Sequence, residues 1–327
     1  MTMPTLRQLA RPTNILWFAW MLLLCRIAMA ADVDQGFIWQ INQPGHEPSY
    51  LIGTIHTGKI GQTLSPVQRH VLHESKTLMT EVSLDERPNL RHLYHRWRIL
   101  SAIRAQQNVR QSLGIHRLNQ INAYFLHKKS PNLLYPNQKI TPWAVAMIVM
   151  TDYHYPGYSA KNGIDYLLAQ AAQASNIPNL ALEHDEWLAP FQQLDHDRAI
   201  RVIDAYLTHR TQIQQQTPKL IQKYHQQDSA YLYQAALNWS DARFFTKTDQ
   251  AFMKNWMHQA LLVNRTRQWL IKIQRQINRE PTLIAVGAAH LYGSDGLIAL
   301  LRAQGYEVRP FVSQQQQCRP TQKQQAT

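Results

Sequence analysis

Short runs of apolar and β-branched residues near the two ends of the chain predict the strands of a buried sheet. Each run is four to six residues long and lacks the strict alternation of apolar and polar positions found in half-exposed strands, which is typical of a parallel or mixed sheet covered on both faces. The predicted strands near the ends are residues 49–52, 77–82 and 282–286, and a fourth, residues 179–182, lies in the middle of the chain.

Between these runs the apolar positions recur at helical spacing. Thr141 followed by Pro142 is typical of a helix start. The predicted helices are residues 90–113, 143–153, 163–175, 197–208, 229–238 and 248–278. Strands separated by helices predict an α/β fold, with a central parallel or mixed sheet formed by the first and last thirds of the chain. A mainly helical insert, residues 88–280 approximately, is expected to form a cap.

The first thirty residues differ in kind from the rest. Arg7 and Arg11 precede an uncharged apolar run at residues 15–25, and Ala28-Met29-Ala30 offers a site of the small-x-small type. The pattern predicts a signal peptide over residues 1–30 and a periplasmic or secreted protein. An uncleaved membrane anchor is less favoured, because the run is far shorter than the roughly 20 residues of a spanning helix.

Residues 31–313 are then expected to form the folded domain, followed by a disordered Gln-rich tail at 314–327. The two cysteines, Cys25 and Cys318, fall in the signal segment and the tail. An internal disulfide and a cysteine-rich metal site are therefore not expected.

The formal net charge of +13 becomes 13 − 3 = +10 once Arg7, Arg11 and Arg26 are removed with the signal peptide. A basic surface favours an anionic envelope surface or an acidic ligand. Nucleic acid is not an expected partner, because the basic residues are scattered apart from residues 91–98, and that segment is typical of a solvated helix face.

Two G-x-x-H motifs, residues 53–56 and 287–290, each follow a predicted buried strand. They place His56 and His290 at the carboxyl edge of the sheet, where ligands bind in open α/β folds. Glu81, inside a third apolar strand, adds a carboxylate where a solvated side chain would be out of pattern. A histidine held there can serve as a metal ligand or as a proton carrier.

These three residues predict one site with two chemical alternatives. His56, His290 and Glu81 could bind a divalent ion such as Mn, Co or Zn and leave open positions for water. Without metal, the same groups could support acid-base hydrolysis with Glu81 as the base. The structural alternative is that each side chain simply satisfies a buried partner.

Three further residues are candidates for binding substrate. Asp165 at a helix start could instead complement the helix dipole, and Glu183 could belong to an exposed acidic turn. Arg265, inside a long predicted helix, could be an anion clamp or a surface charge.

Several of these segments together resemble the TraB/GumN family. The matching segments are residues 50–56 (YLIGTIH), 79–82 (MTEV), 163–165 (GID), 182–183 (LE) and 285–296 (AVGAAHLYGSDG). The family is grouped with Tiki-type metalloproteases and, more distantly, with erythromycin-esterase-like and ChaN-like proteins. The resemblance implies an α/β core with helical insertions and a site made by His56, His290 and a glutamate, Glu81.

In the same comparison the arginine of the family's late helix corresponds to Arg265. An asparagine usually follows that arginine, whereas this chain has Thr266. Members are linked to peptide hydrolysis, pheromone shutdown, polysaccharide loci and haem-linked binding, so the resemblance implies no single substrate.

The resulting expectation is an exported, metal-dependent hydrolase that cleaves a peptide or another amide or ester bond. The alternative is a non-catalytic envelope protein that sequesters a peptide, a metal or a haem-like ligand in the same pocket. A third alternative is an envelope interaction module that uses the basic surface and needs no pocket.

Overall fold

The computed structural model describes residues 37–84, 90–152 and 155–311. The predicted signal peptide and the Gln-rich tail lie outside the described residues. None of the helices within this part of the chain has both the length and the apolar composition needed to cross a lipid bilayer.

A six-stranded sheet lies at the centre of the fold. The strands are β1 (Ile38–Asn42), β2 (Ser49–Thr54), β3 (Gly58–Lys59), β4 (Thr77–Thr80), β5 (Tyr158–Ser159), β6 (Asn179–Ala181), β7 (Thr282–Gly287) and β8 (Glu307–Pro310). The order in the main sheet is β6-β4-β7-β2-β1-β8, and β3 pairs with β5 separately. The first four strands of that order run parallel, so their carboxyl ends meet at one edge.

The helices fill the chain between the strands and follow the last parallel strand. They are α1 (Pro66–His73), α2 (Leu90–Ile103), α3 (Val109–Leu113), α4 (Ile115–His127), α5 (Pro142–Met150), α6 (Ile164–Ala174), α7 (Ala189–Gln192), α8 (His196–Thr208), α9 (Arg210–Gln214), α10 (Gln216–His225), α11 (Ser229–Asn238), α12 (Lys247–Asn255), α13 (Asn264–Ile277) and α14 (Leu297–Ala303). A π-helical segment, Trp256–Val263, joins α12 to α13. The α/β fold with a helical middle region, predicted from the sequence, is confirmed.

Two separate hydrophobic cores stabilise the fold. One packs around the sheet and includes Trp39 and Trp269, whose side chains are fully buried. The other lies within the helical middle of the chain and is centred on helices α4, α5 and α8, with Trp256 as its largest buried side chain.

The prediction of a single helix over residues 90–113 is wrong, because the structure has two helices there. The chain leaves the helix after Ile103 and starts α3 at Val109. Asn108 accepts a hydrogen bond from the amide of Gln111, and the Gln111 side chain accepts one from the amide of Asn108. This capping box stabilises a new helix start in a segment whose apolar spacing alone reads as continuous.

The antiparallel strands β1 and β8 were not predicted either. The burial of β1 alternates and its sequence mixes polar with apolar residues, while β8 contains Pro310. Both strands lie outside the four parallel strands, where the continuous apolar signal of a buried strand is absent. Helices α1, α4, α7, α9, α10 and α14 were likewise not predicted.

Candidate functional site at the carboxyl edge of the sheet

His56 lies two residues beyond strand β2 and is held by Asp165. The distance from His56 Nδ1 to Asp165 Oδ2 is 2.8 Å. Asp165 occupies the first turn of α6, and the amide of Ile164 at the start of this helix donates to the carbonyl oxygen of Ile55 at 3.0 Å. The helix start therefore packs directly on the backbone that carries His56.

Gly163 makes this close approach possible. A Cβ atom built at Gly163 would lie 2.7 Å from both the carbonyl carbon and the carbonyl oxygen of His56, which is closer than carbon atoms tolerate. Two residues of the G-I-D segment therefore have defined roles. Gly163 leaves room for the backbone of His56, and Asp165 provides the carboxylate that contacts its ring.

His290 ends the 3-10 turn that follows strand β7, and its side chain is buried. Thr266 Oγ1 lies 2.7 Å from His290 Nδ1 and 2.7 Å from the carbonyl oxygen of Leu262. The hydroxyl has one proton and the carbonyl can only accept, so Thr266 donates to Leu262 and accepts from the Nδ1–H of His290. His290 therefore directs the lone pair of Nε2 into the site.

Glu81 lies one residue beyond strand β4, between the two histidines. Its Oε1 accepts a hydrogen bond of 2.7 Å from the amide of Gly287. The same Oε1 lies 4.0 Å from His56 Nε2 and 3.9 Å from His290 Nε2. The three side chains predicted from the sequence are therefore brought together around one carboxylate oxygen.

Arg265 connects Glu81 to Glu183 behind the site. Arg265 Nη2 donates to Glu81 Oε2 at 2.8 Å, and Arg265 Nε donates to Glu183 Oε1 at 2.9 Å. The guanidinium carbon lies 4.8 Å from the centre of the Trp269 ring. Only 15% of the Arg265 side chain and 3% of the Glu183 side chain are exposed, which contradicts the surface alternatives for both residues.

The surrounding charges give the two histidines very different pKa values. Burial lowers the pKa of His56, but the charge and hydrogen bond of Asp165 outweigh burial and raise it to about 9. Burial also lowers the pKa of His290, to about 3, where the attraction of Glu81 is too weak to compensate. At neutral pH, and with no other cation present, His56 is protonated and His290 is neutral.

The two glutamates also differ. Burial raises the pKa of Glu81, but Arg265 and the two histidines outweigh burial and hold the pKa well below the usual range of a glutamate. Burial raises the pKa of Glu183, and the hydrogen bond from Arg265 opposes this rise without cancelling it. Glu81 is therefore a permanent anion at neutral pH.

The site contains a small cradle above Gly287. A Cβ atom built there would lie 3.1 Å from Glu81 Oε1 and 3.6 Å from both His56 Nε2 and His290 Cδ2. The carboxylate oxygen borders this cradle, and a second acceptor, the Nε2 lone pair of His290, lies 3.9 Å from that oxygen. Such a pair is electrostatically satisfied by a cation or by a proton donor between them.

A divalent ion fits this donor set in kind, since imidazole nitrogens and a carboxylate oxygen are common ligands. Within the described part of the chain, no three His, Cys, Asp or Glu side chains stand at the spacing of a formed metal site. A tetrahedral site with bonds near 2.1 Å places its ligand atoms about 3.4 Å apart. The measured 3.9 and 4.0 Å therefore exceed that spacing by about 0.5 to 0.6 Å.

Comparison with known proteins identifies the family. The sequence profile of the TraB/PrgY/gumN family matches residues 37–310, which cover both G-x-x-H motifs and every strand of the main sheet. The chain belongs to this family. The resemblance drawn from its motifs is therefore confirmed.

Two relatives in the TraB/PrgY/gumN family share the same level of similarity. The chain is 29% identical over 281 residues to "Uncharacterized protein YbaP" of Shigella flexneri and of Escherichia coli K12. Each match covers 80% of this chain and 90% of the relative. No solved structure matches the chain significantly.

Sequence reasoning did not identify three contributions to the site. Thr266 was noted only as a departure from the family asparagine, whereas it contacts His290. The Gly287 amide and the Trp269 ring were not singled out, although the ring lies 4.5 Å from the His290 ring. A usable signal was present for Trp269, which stands four residues after Arg265 and so lies on the same face of α13, and for Thr266, which stands three residues before Trp269.

Proposed function

We propose that this chain is an exported, metal-dependent hydrolase that cleaves a peptide or another amide or ester bond. The observation that carries the proposal is the convergence of His56 Nε2 and His290 Nε2 on Glu81 Oε1, at 4.0 and 3.9 Å. The Nδ1 atom of each imidazole, on the side away from Glu81, is held by a hydrogen bond. Asp165 is the partner of His56, and Thr266 is the partner of His290. Such outer partners are typical of histidines that bind a metal.

The ion, which we infer to be Mn, Co or Zn, would be held by His56, His290 and Glu81. When bound it supplies Lewis-acid chemistry and lowers the pKa of a bound water. The sequence allows two roles for Glu81, either as the third metal ligand or as the base that activates water. Its strongly depressed pKa supports the ligand role, because a carboxylate that stays ionised far below neutral pH is a weak proton acceptor.

The three predicted substrate-binding residues each contact another residue of the site. Asp165 orients His56 by accepting from Nδ1, and Arg265 holds Glu81 through Oε2. Glu183 in turn binds Arg265 and keeps it in place. We infer that these residues act chiefly by positioning the histidines and the glutamate, and that the helical middle region selects the substrate.

Export, a substrate that is a peptide or small molecule, and the absence of a nucleic-acid partner belong to the same proposal. The signal-peptide pattern of residues 1–30 supports export. A basic chain of net charge +13 is compatible with an anionic envelope surface.

Metal content and turnover test the proposal together. The full chain is purified without chelator, its metals are quantified by mass spectrometry, and a peptide library is digested with and without added Mn, Co or Zn. We expect His56→Ala and His290→Ala to lose metal and turnover. The matched control is His46→Ala, which removes an exposed histidine and should leave both unchanged.

The outcomes separate the alternatives. Folded His56→Ala and His290→Ala proteins with the metal content of the wild type would contradict the metal site. A wild-type protein that holds metal through both histidines but cleaves no peptide, amide or ester would instead support the binding-protein alternative.

A further inference from the structure

Helix α2 exposes a continuous row of large apolar side chains. The exposed fractions are 86% for Leu90, 56% for Leu93, 53% for Tyr94, 63% for Trp97 and 55% for Leu100. The spacing of three and four residues places all five on one side of the helix, hereafter the outer face. At about 100° per residue they cover an arc of roughly 120°.

The opposite side of α2 is already in contact with the protein. Ile99, Ala102 and Ile103 pack against the hydrophobic core of the helical region. His95 Nδ1 lies 3.0 Å from Asp185 Oδ1, and the ring of His95 stacks on another ring at 4.1 Å. The helix is therefore anchored through its inner side, and exposure of the outer face is not a consequence of a detached helix.

Basic side chains stand on both flanks of the outer face. Arg96 and Arg98 lie on opposite sides of the apolar arc at about 100° per residue, and both are exposed. Residues 90–104 contain four arginines, two histidines and no acidic residue. Arg98 Nη2 also pairs with Asp185 Oδ2 at 2.8 Å, which holds one flank close to the body of the protein.

This layout determines the kind of partner. An apolar arc that contains tryptophan, tyrosine and leucine and is flanked by arginines is typical of a helix lying in a membrane interface. The 14-residue helix is about 21 Å long, so it can lie along a surface but cannot span a bilayer. A second copy of this chain fits less well, because it would bring two clusters of arginine together.

We propose that α2 docks the protein on an anionic lipid surface, with the outer face among the lipid chains and Arg96 and Arg98 at the phosphates. Helix α2 follows the strand that precedes Glu81, and Asp185, which holds the helix, lies two residues after Glu183. The docking helix is thereby connected, through Asp185, to the segment that carries Glu183. The proposal depends on the exposed face and its charge and does not depend on hydrolysis.

Vesicle binding by matched variants tests this proposal. Full-length protein is sedimented with vesicles of equal parts phosphatidylglycerol and phosphatidylcholine, and with vesicles of phosphatidylcholine alone. The test variant is Leu93→Gln/Trp97→Gln/Leu100→Gln. The control, Ile115→Gln/Leu126→Gln/Tyr135→Gln, removes three side chains on other elements that are 46%, 63% and 65% exposed.

We expect the test variant to bind anionic vesicles at least about tenfold more weakly than the wild type, because three apolar side chains no longer leave water. The control variant should bind as the wild type does. Binding should weaken with salt and be much lower on phosphatidylcholine alone. Equal binding of the test and control variants, or equal binding to both kinds of vesicle, would overturn the proposal.

The apolar run at residues 15–25 is present in every full-length variant and could itself bind vesicles. The fluorescence of Trp97 therefore reports whether α2 contacts the lipid. The chain has nine tryptophans, so the emission of Trp97 is taken as the difference between the wild type and Trp97→Phe. This difference should shift to shorter wavelength on anionic vesicles. An unchanged difference spectrum, or a wild-type dimer that the test variant loses in sedimentation velocity, would refute lipid docking.

Discussion

Thr266 shows how one hydroxyl can set the state of a buried histidine. The Thr266 hydroxyl donates its proton to the Leu262 carbonyl, so its oxygen accepts a hydrogen bond from His290 Nδ1. The Nε2 atom of His290 then carries no proton and is an acceptor. The family asparagine expected at this position could accept the same hydrogen bond through its side-chain oxygen. The departure at Thr266 therefore need not change what His290 presents to the site.

Replacing Thr266 tests this role at the scale of one atom. Thr266→Val keeps the shape but removes the acceptor, so we expect metal affinity or turnover to fall by about 10- to 100-fold. Nitrogen chemical shifts of the His290 ring should show loss of the Nδ1–H tautomer. Thr266→Ser and Thr266→Asn should preserve both. A Thr266→Val protein with wild-type affinity and an unchanged tautomer would contradict the assignment.

At the scale of elements, the site depends on how α6 meets the end of β2. Both elements are predicted from local sequence, but the contact between them is made by backbone atoms. The amide of Ile164 reaches the carbonyl of Ile55, and Gly163 leaves the room for this approach. The position of Asp165 relative to His56 is thus set by the packing of two elements and not by either alone.

A methyl group at Gly163 should disturb that packing. Gly163 has φ −62°, which any residue adopts, so the expected effect of Gly163→Ala is purely steric. We expect a loss of about 1 to 3 kcal/mol in the free energy of unfolding, because overpacking displaces the start of α6. The pKa of His56, measured by NMR, should fall towards the ordinary value as Asp165 moves away.

Asp165→Asn provides the comparison for this variant. It removes the carboxylate charge without a steric clash, so it should lower the pKa of His56 with less loss of stability. Wild-type stability and an unchanged His56 titration in Gly163→Ala would show that the contact is not needed.

For the whole molecule, the two histidines give opposite dependences of stability on pH. The folded pKa of His56, about 9, lies above the ordinary 6.5, so its contribution is complete below about 6.5 and is lost as pH rises through about 9. The folded pKa of His290, about 3, lies below 6.5. Its contribution is therefore present above about 6.5 and is lost as pH falls.

Unfolding by denaturant in the presence of a chelator tests this dependence. The difference in unfolding free energy between the wild type and Asp165→Asn should be largest near pH 6.5 and should shrink as pH rises to 9, because the raised pKa of His56 needs the Asp165 carboxylate. Comparison of the two proteins removes the contribution of groups that titrate equally in both. A difference that stays constant from pH 6.5 to 9 would contradict the pairing.

Strands β2, β4 and β7 were predictable because buried strands consist of continuous runs of apolar and β-branched residues. Strands β2 and β7 are buried along almost their whole length, and their motifs deliver His56 and His290 to the same edge. The antiparallel strands β1 and β8 were missed because a strand with mixed polarity has no such run. The break between α2 and α3 was missed because a capping box starts a new helix without changing the apolar period.

The sequence by itself determined which elements are buried and which polar side chains stand at their ends, because burial selects residue types position by position. Only the tertiary structure decided how those side chains are charged. His56 and His290 occupy equivalent motifs, yet one meets a carboxylate and the other a threonine hydroxyl. Since a pKa depends on partners that are distant in sequence, equivalent motifs acquire different protonation states only when the chain is folded.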